Sequence, residues 1–218
     1  MAKNVALLLD VDGTLVDSYE GVVNSYLQAL ESHGYTHPEG VEVRTILGPP
    51  MVQSLAAAGV SDADLEDVRK DYMHRYLSTG WLQADLYAGI EEFLQWAKAQ
   101  DFILATATSK AETSTNMVLE HFGLREYFDF LGTAGDKGER PSKTDVIAYT
   151  LDNIKREFNI DTVIMIGDRK HDIEGAQNNS IPVIAVEWGY GTDQERASAT
   201  YRAATTTDLE RTINEWLA

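Results

Sequence analysis

The stretch Val5-Ala6-Leu7-Leu8-Leu9-Asp10-Val11-Asp12-Gly13-Thr14 decides how this chain is read. Its first five residues form an unbroken apolar run that stops at Asp-Val-Asp-Gly. Such a run reads as a strand buried on both faces that delivers carboxylates at its C-terminal end. Asp10 and Asp12 stand two residues apart, so extended backbone sends both to the same side, and Gly13 lets the chain turn. One carboxylate of such a pair can attack as a nucleophile while the other protonates a leaving group and later activates water. The plainer alternative is a turn at Asp12-Gly13 and an exposed strand end at Asp10.

Working outward, similar apolar runs recur at residues 102–107, 162–166 and 182–186. Helical patterns alternate with them. Over 89–99, Ile90, Phe93, Leu94 and Ala97 share a face, and over 142–158 Val146, Ile147, Thr150, Leu151, Ile154 and Phe158 do so. This alternation predicts an α/β fold, a doubly wound, Rossmann-like parallel sheet with crossover helices. In such sheets ligands bind beyond the carboxyl ends of the strands, which points to Asp10, Thr108 and Asp168.

About 65 residues after the first strand show no convincing strand pattern. An all-helical cap domain is therefore expected over 17–85, inserted into a core domain formed by 1–16 and 86–218. Asp17 with Glu20 resembles a capping box, Ser61 and Asp64 open a second helix carrying Leu65, Val68, Tyr72 and Tyr76, and Gly48-Pro49-Pro50 makes a rigid turn.

A hydrophobic fraction of 44% in 218 residues supports a full core. The formal charge of -17 argues against nucleic acid or an anionic membrane as a partner. It also means that an anion-binding site must be positive locally. The absence of cysteine excludes disulfides, thiol nucleophiles and thiolate metal sites, and the five histidines show no metal-ligand spacing. The opening Met1-Ala2-Lys3-Asn4 precedes an apolar run too short for a signal peptide, and no stretch has the length of a membrane span, so a cytoplasmic location is expected.

Asp168 and Asp172, in Gly167-Asp168-Arg169-Lys170-His171-Asp172, lie about one helical turn apart after another apolar run. Convergence with the first acid pair would bring like charges together at about 4 kcal/mol per pair at 4 Å and an effective dielectric of 20, so the cluster needs a cation. Magnesium, a hard ion that takes oxygen ligands, fits. The alternative makes Asp168 a helix cap and Asp172 a surface acid. Thr108, with Ser109 and Lys110, offers hydroxyls and amides to an anion, though Ser109 serves equally as a cap. Lys143 opens a helix, where a cation opposes the helix dipole, so a purely structural role is unfavourable there, and a solvated surface lysine is the alternative.

The ordered series DVDGTLVDS, ATSK, SKTDVI and GDRKHD resembles the haloacid dehalogenase superfamily over nearly the whole chain, in its phosphoglycolate-phosphatase-like branch with a helical cap. LGPP and WGYG at 188–191 resemble that branch too, which includes 5'-nucleotidases. The resemblance implies a magnesium-dependent phosphatase working through an aspartyl-phosphate. It makes Asp10 the nucleophile, Asp12 the general acid/base, Thr108 the phosphate-binding hydroxyl and Lys143 the charge-neutralising lysine. It implies metal ligation by Asp10, the Asp12 main-chain carbonyl and Asp168, with Asp172 assisting. The superfamily's dehalogenases lack the second acid of the first motif, so Asp12 argues for phosphate chemistry. The familiar proline after ATSK is Ala111 here, which bears on the turn more than on catalysis.

Gly13, Thr14, Ser109, Lys110, Arg44 and Gly48 are candidate substrate contacts, with a salt bridge inside the cap an equal reading for Arg44. The expected partner is a small phosphorylated metabolite such as phosphoglycolate, a nucleotide or a sugar phosphate. Phosphoryl transfer to a sugar hydroxyl, as in mutases, and a non-catalytic phosphate-binding module are the competing readings. The oligomeric state is not legible.

Overall fold

The computed structural model describes residues 4–218. Met1, Ala2 and Lys3, on which the leader reading partly rests, lie outside the described residues. In chain order, β1 (Val5–Leu9) and β2 (Val16–Asp17) lead into the helices α1 (Tyr19–Ser32), α2 (Met51–Ala57) and α3 (Leu65–Ser78), and β3 (Asp85–Leu86) leads back. There follow α4 (Ile90–Ala99), β4 (Ile103–Thr108), α5 (Glu112–His121), β5 (Phe130–Thr133), α6 (Lys143–Glu157), β6 (Thr162–Gly167) and α7 (Lys170–Asn178). The chain ends with β7 (Val183–Val186), α8 (Asp193–Arg196), β8 (Tyr201–Ala203) and α9 (Thr206–Leu217).

Six strands form one sheet in the order β5-β4-β1-β6-β7-β8, every pair parallel. This is the expected doubly wound α/β architecture, with β1 between β4 and β6. Side-chain alternation along β1 divides the interior in two. Val5, Leu7 and Leu9 pack with Phe93 and Leu94 of α4, Val118 of α5 and Ile213 of α9. Ala6 and Leu8 face the other way, toward Val146 and Ile147 of α6 and Ile173 of α7. All five β1 side chains are buried, and each large one contributes about 1.5–3 kcal/mol by leaving water. That burial fixes the strand's end, and hence Asp10, in place.

The stretch between β2 and β3 is helical and has a core of its own, including Val22, Tyr26, Leu30, Leu55, Val68 and Tyr76, into which Tyr190 of the sheet-bearing part also packs. β2 and β3 pair as a two-residue antiparallel ribbon, so the chain leaves and re-enters the sheet-bearing part through adjacent arms.

Several local expectations are corrected. β5 and β8 escape the apolar-run criterion because β5 contains Gly132 and β8 is three residues long with two of them exposed, and both lie at sheet edges. The β2–β3 ribbon is likewise too short to show a pattern. Asp17 does not make a capping box with Glu20. Ser18 is the N-cap, without a side-chain cap bond, and Asp17 instead accepts from Tyr19 N at 3.1 Å and from the Tyr190 hydroxyl at 2.9 Å. No helix among the described residues is long and apolar enough to cross a membrane.

Candidate active site

Strand register brings the three expected strand ends to one edge. Leu9 pairs with Thr106 on β4 and Ile166 on β6, so Asp10, Thr108 and Asp168 follow at the same carboxyl edge. Asp10 is 3% exposed, and its Oδ1 accepts from Val11 N at 2.8 Å. This excludes an exposed strand end.

Asp168 and Asp172 are fully buried, which excludes the cap-and-surface alternative. Arg169 is the N-cap of α7, and Asp172 Oδ2 accepts its N–H at 3.0 Å, so this acid is held by the helix start as well as by its neighbours. Asp168 Oδ2 accepts from Tyr190 N at 2.6 Å, while Oδ1 has no hydrogen-bond partner among the described residues. Gly13 has φ +84°, and a Cβ there would collide with the Asp168 carboxylate. Its role is therefore to make room for the second acid motif beside the first. Gly167 does the same for Asp172.

Lys143 enters this cluster from α6. The capping box Ser142/Asp145 starts the helix there, with Ser142 Oγ accepting from Asp145 N at 3.2 Å. Lys143 Nζ lies 2.9 Å from Asp10 Oδ1 and 2.8 Å from Asp172 Oδ1, and donates to the Ala107 carbonyl at 3.0 Å. At 5% exposure it is no solvated surface lysine. Burial opposes its charge, but Asp10 and Asp172 outweigh burial and hold the ammonium above its usual range.

One lysine does not balance three acids. Burial, with Asp172 adding to it, pushes Asp10 from 3.8 up to about 6 although Lys143 and Thr108 pull it down. Burial and the repulsion of Asp172 and Asp10 push Asp168 well above its ordinary value. Ligand atoms of Asp10, Asp168 and Asp172 lie within 4.8 Å of one another. Three buried carboxylates, one with an oxygen lacking a partner, are the donor set that a hard divalent cation takes.

A cavity of about 260 Å³ opens between this edge and the helical segment and reaches both Asp10 and Asp12. Thr108, Ser109, Lys110 and Gly48 line it. Lys110 does more than line it. Its Nζ donates to both Asp12 carboxylate oxygens at 3.0 Å and to the Tyr76 hydroxyl at 2.7 Å. Thr108 Oγ1 accepts from Lys110 N at 3.2 Å, and Ser109 Oγ is buried with no partner among the described residues. Thr14 is buried behind the edge, its carbonyl accepting from Trp188 Nε1 at 3.0 Å, and it does not line the cavity.

Arg44 is not brought to this cavity. It donates to the Gly189 carbonyl at 3.3 Å, stands 5.5 Å over the Tyr190 ring, and lines a separate cleft with Arg169 and Glu195. Its partners lie in the WGYG loop, so among the described residues it makes no salt bridge within the helical segment.

The residues missed are Tyr72, Met73 and Tyr76 of α3, Met51 of α2, and the loop carrying Asp136 and Arg140, all of which line the cavity. In the sequence the tyrosines belong to an ordinary apolar stripe. Only LGPP and WGYG gave a signal: Gly48 lines the cavity, and Tyr190, whose N–H donates to Asp168, reaches β2 by donating its hydroxyl to Asp17 at 2.9 Å.

The chain is similar to known proteins along almost its whole length. The chain is 35% identical over 211 residues to the tyrosine-protein kinase PtkA of Mycobacterium tuberculosis, covering 95% of this chain and 72% of that one. It is 30% identical over 190 residues to a 5'-nucleotidase of Pseudomonas aeruginosa, covering 87% and 85%. The crystal structure of a predicted phosphatase from Clostridium acetobutylicum superposes with a TM-score of 0.89 at 31% identity, covering 99% of this chain and 100% of that one. The family model for haloacid dehalogenase-like hydrolases matches residues 7–186, and the chain belongs to that family.

Proposed function

We propose that this chain hydrolyses a small organic phosphomonoester by passing the phosphoryl group through Asp10. The observation that carries this is the placement of a buried carboxylate, Asp10, 2.9 Å from Lys143 at the floor of a cavity that Asp12 also lines. Asp10 attacks phosphorus, and the ester oxygen leaves with a proton from Asp12. Asp12 then takes a proton from water, which attacks the phosphorus of the acyl phosphate, releasing phosphate and restoring Asp10. Lys143 holds Asp10 and meets the negative charge that the phosphoryl group brings, while Thr108 offers its hydroxyl to a phosphoryl oxygen.

Asp10, the Asp12 carbonyl and Asp168 would hold magnesium, with Asp172 assisting, and the bound ion supplies positive charge to the transferring group. In this reading the helical segment 17–85 is a cap over a core of 1–16 and 86–218, and it excludes water from the cleft.

A second reading, transfer to a tyrosine hydroxyl, is favoured by the 35% identity to a protein named as a tyrosine kinase. It would use the same Asp10 with another acceptor. Two measurements separate the outcomes. Beryllium trifluoride with magnesium should form an adduct on Asp10, seen in a crystal or by fluorine NMR, and absence of an adduct rejects the nucleophile assignment. Phosphate release from monoesters, against transfer from a nucleoside triphosphate to a tyrosine peptide, identifies the acceptor.

A further inference from the structure

Tyr190 touches both the acid cluster and the start of the helical segment. Its N–H donates to Asp168 Oδ2 at 2.6 Å, while Asp168 Oδ1 has no partner among the described residues. Its hydroxyl donates to Asp17 Oδ1 at 2.9 Å and accepts from Ser18 N at 2.7 Å. Asp17 ends β2 and Ser18 is the N-cap of α1, so the hydroxyl sits where the chain leaves the sheet-bearing part for the helices.

Neither end of this link has slack. Ser18 is 1% exposed, so its N–H has no water to turn to when the Tyr190 hydroxyl withdraws. The Tyr190 ring is buried and packs into the core of the helical segment, which holds its side-chain torsions. Arg44, from that segment, lies over the ring and donates to the neighbouring Gly189 carbonyl. At the other end the loop is pressed against the acids. A Cβ on Gly189 would collide with the Gly13 carbonyl and the Asp168 side chain, and one on Gly191 with the Asp168 carbonyl. Neither of these glycines has a positive φ, so close approach is what the two positions require.

To leave its seat, the helical segment must either break the hydroxyl's two hydrogen bonds or drag the WGYG loop, and Asp168 with it. An ion drawing on Asp168 Oδ1 would hold the carboxylate whose Oδ2 holds Tyr190 N, and so would oppose the second route. Seating and ion binding then favour each other by one and the same factor.

We infer that Tyr190 is a positioning residue that couples a divalent ion on the acid cluster to the seating of the helical segment over the cleft. The inference rests on the magnesium reading and adds a route by which the bound ion closes the cleft before substrate arrives.

The test uses the full chain without substrate. In the parent protein, saturating magnesium should slow hydrogen exchange of the Ser18 amide about tenfold by NMR, inside the roughly 5- to 150-fold range of coupling between sites. The Gly59 amide, which bonds within the helical segment to the Ala56 carbonyl at 3.0 Å, should not respond. Tyr190→Phe keeps the ring and the backbone donor to Asp168 and removes only the hydroxyl. By reciprocity it should weaken magnesium binding, measured by calorimetry, by the factor that magnesium gives the Ser18 amide in the parent. A merely structural role would lower the melting temperature of Tyr190→Phe and leave its magnesium affinity unchanged.

Magnesium bound by the parent with no slowing at Ser18, or bound equally well by Tyr190→Phe, overturns the inference and leaves the magnesium reading standing. No magnesium binding by the parent protein removes both.

Discussion

Lys110 Nζ lies 3.0 Å from each carboxylate oxygen of Asp12 and 2.7 Å from the hydroxyl of Tyr76, so the proposed acid/base of the sheet edge is joined to a helix of the inserted segment through one ammonium. Burial opposes the charge of Lys110, but Asp12 and the two tyrosines outweigh it and hold the ammonium above its usual range. Lys110 is thereby a positioning residue for Asp12. Lys110→Met should lower kcat about 10- to 100-fold on esters with poor leaving groups, within the scale of general acid catalysis. The loss should be smaller on p-nitrophenyl phosphate, whose leaving group needs little protonation. Equal losses on both would show that Lys110 does not act through Asp12.

Lys143 is the charge that compensates Asp10 and Asp172. Lys143→Met should destabilise the metal-free protein by about 3–5 kcal/mol, because a buried ion pair broken on one side leaves its partners unpaired. For a chain of this size that is a fall of roughly 10 °C in Tm. Adding Asp10→Asn to the same protein should recover part of it. An unchanged melting temperature in Lys143→Met would contradict the placement of that lysine.

A divalent ion at the three acids should stabilise the fold whether or not substrate is present. Magnesium at 100 times its Kd should add about 2.7 kcal/mol, removable by EDTA and read by thermal unfolding. Asp168→Asn should abolish the shift, since Asp168 brings the oxygen that lacks a protein partner. A shift that survives in this variant would place the ion elsewhere.

In metal-free protein Asp10 titrates near pH 6 instead of 3.8. Its folded form therefore binds the proton more tightly than its unfolded form. Its contribution is most favourable below about pH 4, declines as pH rises from about 4 to 6, and is flat above. Urea unfolding in EDTA across that range, with Asp10→Asn as the reference, isolates this group from the many surface carboxylates. A difference curve that rises with pH would give Asp10 the opposite environment.

Gly13→Ala should cost more than about 1 kcal/mol, because its φ of +84° is strained for any side chain and the new methyl meets the Asp168 carboxylate. The magnesium-dependent stabilisation should weaken with it. If stability and metal response both match the parent protein, the close approach of the two acid motifs is not needed.

The placement of Asp10 was legible because two local signals coincide, five consecutive apolar residues and an acid immediately after them. Both depend on a strand's own periodicity and burial, which a short window of residues contains. The same holds for Asp168 after β6 and for Lys143 behind the Ser142 cap. The edge strands β5 and β8 were not legible, because at three or four residues their pairing comes from the neighbouring strand more than from their own pattern. Asp17 reads as a cap because its neighbours match a capping box, yet the Tyr190 hydroxyl from the far end of the chain takes its carboxylate.

Taken by itself, the order of residues determined a parallel α/β sheet, an edge lined with carboxylates and the lysine that answers them. Only the tertiary structure decided that Lys110 pairs with Asp12, that Arg44 stands behind the WGYG loop, and that Tyr72 and Tyr76 border the cavity. Lys110 and Asp12 are 98 positions apart, and Tyr76 comes from a helix whose docking depends on a separate core. Hydrophobic periodicity reports that such a helix buries one face. Which side chains of that face border the cavity is set by how two packed bodies meet, and no local pattern of residues carries that geometry.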